Sequence, residues 1–261
     1  MAAKQLSGKE PVAHFKSCLW SAILTHNLLV IGGPEVHLSK LTVVLPTLNA
    51  GESLAATLAV VAKGDVAEVI VADGGSSDDT RAIVAAAGAR WVSAPRGRGP
   101  QLVAGAQAAQ GDWLLFLHAD TQLQAGWAAE AAAFMVNTGD GERVAAFAFA
   151  LDDLSPAARR LERMVAWRGR VLGLPYGDQG LLISATFYRA LGGYAKLPLM
   201  EDVDIVRRIG RHRISILGSV ALTAAGRYRR DGYVLRPARN LLCLALYFCG
   251  VPTAWLARLY A

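Results

Sequence analysis

The chain has 261 residues, of which 53% are hydrophobic and 18% charged, so it can bury a core and is not intrinsically disordered. Its mean hydropathy of +0.31 is high for a soluble protein and is compatible with membrane contact. The net charge of +6 is unevenly spread. Residues 1–150 carry 10 Lys and Arg against 13 Asp and Glu, whereas residues 151–261 carry 17 against 8. A basic second half predicts either an anionic partner or a solvated basic surface.

The N-terminal region and the cysteines indicate the compartment. Three cysteines (Cys18, Cys243 and Cys249) are too few and too badly spaced for a disulfide framework or a zinc site, which fits a reducing, cytoplasmic environment. Residues 18–33 are mildly apolar, but Thr25-His26-Asn27 interrupts them and no small-residue cleavage pattern follows. We therefore expect no signal peptide. Residues 1–40 are interpreted as an N-terminal extension to which the sequence assigns no structure.

Four short apolar segments recur at near-constant spacing in the first half and predict buried parallel strands. They are Leu41–Leu45, Glu68–Ala72, Arg90–Ser93 and Trp113–Leu117. Helical patterns lie between them, in residues 51–63, from Ser77-Asp78-Asp79 onwards, and in residues 99–110. Because strand and helix alternate about every 25 residues, we predict an α/β fold with a doubly wound parallel sheet.

Beyond residue 120 the pattern is less regular. Helices are predicted at Ala125–Val136, Pro156–Leu172 and Asp202–Ile209, and strands at Val144–Leu151, Leu181–Tyr188 and Arg213–Leu217. No repeat or low-complexity linker divides the chain, so residues 41–235 are interpreted as one domain. Residues 236–261 follow it as an apolar helical segment.

Each of the first four strands runs into a polar cluster, at residues 46–52, 73–80, 96–101 and 118–121. Ligands of open α/β sheets bind beyond the carboxyl ends of the strands, so we expect these clusters to meet in one cleft. Gly97-Arg98-Gly99 is not a dinucleotide fingerprint, because it follows the third strand and position 102 is Leu. No phosphate-binding P-loop is present either.

Four phrases of the sequence resemble, in order, the motifs of family-2 glycosyltransferases with the Rossmann-like GT-A fold. They are VVLPTLNAGESLAATL, EVIVADGGSSDDT, RGRGPQLVAGAQAAQGDWLLFLHADT and MEDVDIVRRI. The resemblance covers roughly Leu41 to Leu217. His-Ala-Asp and Pro-Tyr-Gly-Asp-Gln (residues 175–179) further resemble a subgroup associated with arsenosugar biosynthesis.

The resemblance implies that the loops after the first two strands hold a nucleotide, through Thr47, Asn49, Glu52 and Asp73. Carboxylate and amide groups can pair with base N–H groups and ribose hydroxyls. For Glu52, a plain acid in the first turn of a helix is an equally good interpretation.

Arg96, Arg98 and Gln101 resemble the basic loop that closes over the nucleotide and its diphosphate. Arginine beside glycine can approach a phosphate and donate two hydrogen bonds to it. Either arginine can instead be a solvated loop cation.

His118-Ala119-Asp120 stands where the family has its Asp-x-Asp metal motif. Asp120 is therefore predicted to bind Mg²⁺ or Mn²⁺. His118 departs from the motif, and it either ligates the metal, hydrogen-bonds a phosphate or is structural.

Asp202 is the predicted catalytic base. It shares a helix face with the apolar residues Val206 and Ile209, which aims its carboxylate inward. An inverting transferase needs one such carboxylate to take the proton of the acceptor hydroxyl, and a helix N-terminus favours its ionised form. Asp204 instead fits a surface acid that complements the helix dipole, with Arg207 and Arg208 three and four residues on.

Three further residues are assigned to the substrate by resemblance. Asp178 and Gln179 belong at the sugar and acceptor side, although Asp178 also fits a turn-forming role. Arg227 can reach the leaving diphosphate or lie on a basic face.

The stretch Leu241–Tyr260 is almost wholly apolar, follows a cluster of arginines, and is broken by Gly250 and Pro252 into pieces too short to span a membrane. A core helix, an oligomer contact and an interfacial helix on an anionic leaflet are compatible with it. The arginines favour the last, at the cytoplasmic face of the membrane.

The sequence thus predicts an inverting glycosyltransferase that moves a sugar from a nucleotide-diphosphate sugar, UDP-linked by resemblance, to the hydroxyl of a small molecule or lipid carrier. A nucleotidyltransferase on a related sheet and a non-catalytic membrane-associated binding module remain as alternatives. Nucleic-acid binding is disfavoured, because the basic residues lack interleaved aromatic side chains.

Overall fold

The computed structural model describes residues 38–139 and 141–260, so most of the predicted N-terminal extension lies outside it. An eight-stranded sheet forms the middle layer, in the order β3-β2-β1-β4-β7-β6-β8-β5. Its strands are β1 (Leu41–Thr47), β2 (Glu68–Asp73), β3 (Arg90–Ser93), β4 (Trp113–Phe116), β5 (Thr121–Leu123), β6 (Val144–Leu151), β7 (Leu181–Ser184) and β8 (Ile214–Thr223).

Helices connect and cover these strands. They are α1 (Leu54–Ala62), α2 (Thr80–Ala86), α3 (Arg98–Ala108), α4 (Trp127–Thr138), α5 (Pro156–Trp167), α6 (Ala185–Ala190), α7 (Glu201–Ile209), α8 (Gly226–Asp231), α9 (Leu235–Phe248) and α10 (Thr253–Tyr260). A π-helical turn, Arg168–Leu172, continues α5, and 3-10 turns form at Gly177–Gln179 and Arg211–Arg213.

The sheet is mixed but mainly parallel, as predicted, because six of its eight strands (β3, β2, β1, β4, β6 and β8) run in the same direction. The strands β3, β2, β1 and β4 are parallel, as the alternating pattern of the first half predicts. β7 then pairs antiparallel with both β4 and β6, and β5 pairs antiparallel with β8. The predicted strand Leu181–Tyr188 is wrong after Ser184, because the Ser184 hydroxyl caps a new helix by accepting from the backbone N–H of Phe187 at 3.1 Å.

The central strand β1 contributes side chains to a separate apolar layer on each side of the sheet. Leu41, Val43 and Leu45 pack with residues of α1, α2 and α4. Val44 points to the opposite face, as strand alternation requires, and packs with residues of α3, α6 and α7. The carboxyl ends of the parallel strands therefore emerge between two helical layers.

The C-terminal residues pack on this domain through α9 and α10. Cys243, Leu244 and Leu256 are buried together with Met200 and Val203 at the start of α7. No helix within residues 38–139 and 141–260 is long and apolar enough to cross a membrane. The described residues fall in one compact unit, which starts at His37.

The close packing of α3 on β1 can be tested at Gly105. A β-carbon on Gly105 would overlap the Cγ1 atom of Val44, a stiff β-branched side chain in the buried centre of the sheet. We expect Gly105→Ala to lower the free energy of unfolding by about 1–3 kcal/mol through overpacking, measured by urea denaturation. Gly169→Ala is the control, because its β-carbon would meet Ile216 at an ordinary 3.8 Å. Equal stability of the two variants would contradict this account.

Candidate active site

A cleft of about 640 Å³ opens at the carboxyl ends of β1, β3 and β4 and is closed on one side by α8. Nine of the residues predicted from the sequence line it: Thr47, Asn49, Glu52, Arg96, Arg98, Gln101, His118, Asp120 and Arg227. Arg230, three residues after Arg227, also lines it. The predicted convergence of the strand-end clusters is therefore present in the structure.

Asp73 does not line the cleft, so its predicted contact with a nucleotide stays a prediction. Its side chain is only 2% exposed. One carboxylate oxygen accepts from the hydroxyls of Thr47 and Ser76, and the other accepts from the backbone N–H groups of Gly75 and Ser76. An ionised carboxylate has about four acceptor sites, so all of them are used within the protein. These hydrogen bonds lower the pKa of Asp73 against the opposing effect of burial, and the residue shapes the loop.

The loop after β2 in turn holds the loop after β1. Asn49 adopts a left-handed conformation with φ of 51°, which asparagine tolerates. Its side-chain oxygen accepts from the backbone N–H of Ser77 at 2.9 Å, and its own N–H donates to the Ser76 hydroxyl at 2.7 Å. Asp78 accepts from the N–H of Gly51 at 2.9 Å. Much of the polar motif after β2 therefore fixes the wall of the cleft. Glu52 is exposed on that wall.

Both predicted glutamines donate hydrogen bonds inside the protein. Gln101 lines the cleft but is 4% exposed, and its amide donates to the backbone carbonyls of Thr47 and Ala72, which locks α3 to the ends of β1 and β2. The Gln179 amide is 2% exposed and donates to the carbonyl of Phe147 at 2.9 Å, while its oxygen is buried without a hydrogen-bond partner. Their contact with a substrate stays a prediction.

His118 and Asp120 lie side by side in the loop between β4 and β5. The Nδ1 atom of His118 is 3.7 Å from an Asp120 oxygen, and the other Asp120 oxygen accepts from the Arg227 guanidinium at 3.1 Å. Burial, together with the nearby cations Arg98 and Arg227, holds the pKa of His118 well below its usual value. The imidazole is therefore neutral at pH 7, the form that ligates metals.

The side chains at this loop fit a divalent metal whose remaining coordination positions are filled by the bound substrate and water. The His118 Nε2 atom is buried and has no hydrogen-bond partner in the protein. Within residues 38–139 and 141–260, no cluster of three or more His, Cys, Asp or Glu side chains can hold a metal ion. Asp120 and His118 thus supply at most two ligands, and the remaining positions would fall to water and phosphate oxygens, as is usual for Mg²⁺.

Arg96 and Arg98, predicted as a pair, have different surroundings. Arg96 is exposed on the rim of the cleft. Arg98 runs inward from the first turn of α3 and forms an ion pair with Glu201, its Nε atom lying 3.0 Å from a Glu201 oxygen. Glu201, at 3% exposure, was passed over in favour of its neighbour Asp202. Its only sequence signal is its place in the Met-Glu-Asp-Val-Asp motif.

Gly177 brings the inward end of Arg98 together with Asp202. A β-carbon on Gly177 would overlap the Arg98 guanidinium and lie 3.0 Å from His118 Nε2, so only glycine fits here. The Gly177 N–H donates to an Asp202 oxygen at 3.0 Å, and the Val203 N–H donates to the other at 2.8 Å. Asp202 is half-buried at the N-terminus of α7.

Asp178 lies in the same group, on the 3-10 turn before β7. Burial raises the pKa of Asp178 to about 6, and the carboxylates of Asp202 and Asp120 add to the rise, against the opposing charges of Arg168 and Arg98. One of its oxygens is buried without a hydrogen-bond partner in the protein. The inner end of the site therefore offers unpaired polar atoms.

The other acid of α7 has the surface role that the sequence predicts. Asp204 pairs with Arg208 at 2.6 Å, four residues on. Arg207 does not join them, because its guanidinium lies 4.9 Å from the centre of the Phe248 ring on α9. Asp202 is thus the acid of this motif that reaches the site at Gly177.

Comparison with known proteins shows the family of the chain. The family described as glycosyl transferase family 2 matches residues 42–177. The chain belongs to that family. Uncharacterized glycosyltransferases of Mycobacterium bovis and Mycobacterium tuberculosis are 43% identical over 86 residues, a match that covers 33% of this chain and 38% of theirs.

Solved structures show the same fold. Glucosyl-3-phosphoglycerate synthase of Mycobacterium tuberculosis, in complex with Mn²⁺, UDP and glucosyl-3-phosphoglycerate, aligns with a TM-score of 0.55 at 22% identity over 84% of each chain. TarS of S. aureus, residues 1–349, aligns with a TM-score of 0.56 at 18% identity, over 85% of this chain and 69% of that one. None of these proteins bears on the narrower arsenosugar resemblance, which stays a prediction.

The buried Arg98–Glu201 pair generates a stability prediction. Replacing Glu201 by Gln keeps the shape but leaves the half-buried guanidinium without its counter-ion, so we expect a loss of about 1–3 kcal/mol in the free energy of unfolding. Urea denaturation measures this loss. Glu142→Gln is the matched control, because Glu142 pairs with Arg213 at 2.8 Å but both are largely exposed. If both variants lose the same stability, burial of the pair contributes nothing.

Proposed function

We propose that this protein transfers a sugar from a nucleoside diphosphate sugar, UDP-linked, to an acceptor hydroxyl with inversion at the anomeric carbon. We assign this activity to residues 41–235, with residues 1–40 as an extension and residues 236–261 as an appended apolar helical segment. The observation that carries the proposal is a cleft lined by Arg96, Arg98 and Arg227, with the Asp202 carboxylate held beside Arg98 by the backbone N–H of Gly177.

The mouth of the cleft suits a nucleoside diphosphate. Arg96, Arg227 and Arg230 line it from opposite walls, and arginine is well matched to phosphate oxygens. Exposed Glu52 and the loop around Asn49 form the wall that would face the base and ribose. Structures of glucosyl-3-phosphoglycerate synthase hold UDP with Mn²⁺ or with Mg²⁺, which supports this choice of donor.

A divalent metal fits beside the diphosphate. Asp120 and His118 would hold it, and its chemistry would be to neutralise charge on the phosphate oxygens as the diphosphate leaves. Arg227 now donates to Asp120, so a metal would compete with it for that carboxylate. Arg227 would then be free to turn to the phosphates.

Asp202 acts as the general base in this proposal. It takes the proton of the acceptor hydroxyl as the oxygen attacks the anomeric carbon, and the bond from that carbon to the diphosphate oxygen breaks with its electron pair going to the nucleotide. The Gly177 and Val203 N–H groups each donate to one of its oxygens and hold the carboxylate in place. Asp178 and Arg98 lie beside it and would contact the sugar or acceptor hydroxyls.

The acceptor is proposed to be a small molecule or a lipid-linked hydroxyl. Complexes of glucosyl-3-phosphoglycerate synthase contain phosphoglyceric acid as the acceptor together with UDP-glucose. Family membership favours sugar transfer over the nucleotidyltransferase alternative, which would show pyrophosphate-dependent exchange in place of sugar release.

Replacing Asp202 by Asn tests the base. We expect kcat to fall by about 10²–10⁴-fold, the usual contribution of a general base, while UDP affinity stays within about twofold. Nucleotide release from a panel of NDP-sugars measures kcat, and calorimetric titration with UDP measures the affinity. Asp204→Asn is the matched control. It removes a carboxylate from the same helical turn, but that carboxylate pairs with Arg208. Full turnover in Asp202→Asn would reject the assignment.

Replacing Asp120 by Asn tests the metal. We expect Mn²⁺ to increase the UDP affinity of the unmodified protein. In the variant this increase should be smaller by about tenfold or more, because a charged oxygen ligand is lost. Titrations with and without chelator supply the comparison. Asp112→Asn is the control, since its carboxylate is exposed and pairs with Lys40 outside the cleft. A metal effect that survives in Asp120→Asn would place the metal elsewhere.

A further inference from the structure

The exposed side of α9 carries no polar residue. Six of its residues are exposed: Leu235, Ala238, Leu241, Leu242, Ala245 and Phe248. Their spacing of three and four places them on one side of the helix. Single exposed apolar residues are normal on a protein surface, but a complete apolar helix side indicates an interaction site.

The following helix extends this surface. Trp255 and Leu259 of α10 are 69% and 48% exposed, and Val234 just before α9 is 77% exposed. We call α9 and α10 with these exposed residues the apolar face. The opposite side of α9 is already occupied, because Cys243 and Leu244 pack against Met200 and Val203 at the start of α7. The two helices are therefore anchored, and the apolar face points away from the catalytic domain.

Exposed arginines lie beside the apolar face, and the acid that precedes α9, Asp231, pairs with Arg236 and Arg239 of that helix. No Asp or Glu follows Asp231 in the sequence. Exposed Arg258 lies between Trp255 and Leu259 on α10, and exposed Arg207 lies over the ring of Phe248 at 4.9 Å. Arginine side chains of this kind lay their carbon chains on apolar surface and keep the charge at its edge.

Exposed apolar residues beside exposed arginines also occur at the end of α5. Met164, Trp167, Val171 and Leu172 are each about half exposed there, interleaved with the exposed Arg160, Arg163 and Arg170. The two regions meet through Tyr176. The Arg168 guanidinium lies 3.4 Å from the centre of the Tyr176 ring, and Tyr176 packs against the cluster that anchors α9 and α10.

We infer that the apolar face binds the surface of an anionic lipid bilayer, with its apolar side chains in the interface and its arginines at the headgroups. Helices of 14 and 8 residues are too short to span a bilayer but are suited to lie in its interface. Tryptophan and arginine beside aliphatic residues match the composition of interfacial segments. A second copy of the chain is disfavoured as the occupant, because a two-fold contact would bring Arg207 and Arg258 against a surface of the same charge.

Co-sedimentation of the full chain with vesicles tests this inference. We expect binding to vesicles of phosphatidylcholine mixed with phosphatidylglycerol, and weaker binding to phosphatidylcholine alone or at high salt, where charges are screened. Leu241→Glu and Trp255→Gln should each lower the partition coefficient by about tenfold or more, since each removes an inserted apolar side chain. Both positions are exposed, so the fold should persist, which circular dichroism checks. Deleting residues 240–261 is a poorer test, because it would remove Cys243, Leu244 and Leu256 from the core.

Val136→Glu is the matched control, because Val136 is a 64% exposed aliphatic residue on α4, away from the apolar face. It should bind vesicles like the unmodified protein. The inference is overturned if the unmodified protein does not sediment with anionic vesicles, or if Leu241→Glu and Trp255→Gln bind as well as Val136→Glu. Light scattering that shows a dimer abolished by Leu241→Glu, without vesicle binding, would assign the face to a second copy. Vesicle binding is independent of sugar transfer, so either proposal can fail alone.

Discussion

The half-buried side chain of Arg98 connects parts of the site that are far apart in the sequence. It leaves the first turn of α3, its Nε atom pairs with Glu201 in the first turn of α7, and its terminal nitrogen lies where a β-carbon on Gly177 would be. A partly buried cation is stabilised by a counter-ion, and a side chain at position 177 would have to displace it. Arg98 thus links the start of α3 to the start of α7.

This connection also brings Asp202 near the lining of the cleft, although Asp202 itself does not line it. Glu201 pairs with Arg98, and the next residue accepts from the Gly177 backbone N–H. Glu201 balances the Arg98 cation, whereas Asp202 is the proposed general base. Burial raises the pKa of Glu201 and the adjacent Arg98 opposes that shift, which keeps the pair matched.

The parallel half of the fold could be predicted because its strands are buried on both faces and read as continuous apolar runs, as in Leu41–Leu45. Most elements of the second half could be predicted too, such as the strand Val144–Leu151, but their pairing could not, because antiparallel pairing depends on contacts across long loops that leave no local pattern. β5 has three residues and pairs with β8. The π-helical turn after Trp167 likewise continues an amphipathic helix without a sequence signal.

Within the site, the sequence predicts the cleft but not the hydrogen bonds that its residues make inside the protein. Asp73, Gln101 and Gln179 each hydrogen-bond to the backbone of neighbouring segments. The number of partners that a carboxylate or amide finds inside the protein is a tertiary property, so the residue type alone could not reveal it. Glu201 was missed for the converse reason, since its buried partner Arg98 lies about a hundred residues earlier in the chain.

The same helix α7 also couples the cleft to the C-terminal helices. Its first turn carries Asp202 toward Gly177, while Met200 and Val203 on either side of that residue pack against Cys243 and Leu244 of α9. Packed helices lie about 8–10 Å apart, so α9 lies about one helix spacing from α7, which carries the proposed base. If α9 rests on a bilayer, its packing on α7 would hold that base near the lipid surface, which gives a physical reason for an exposed apolar helix at this position.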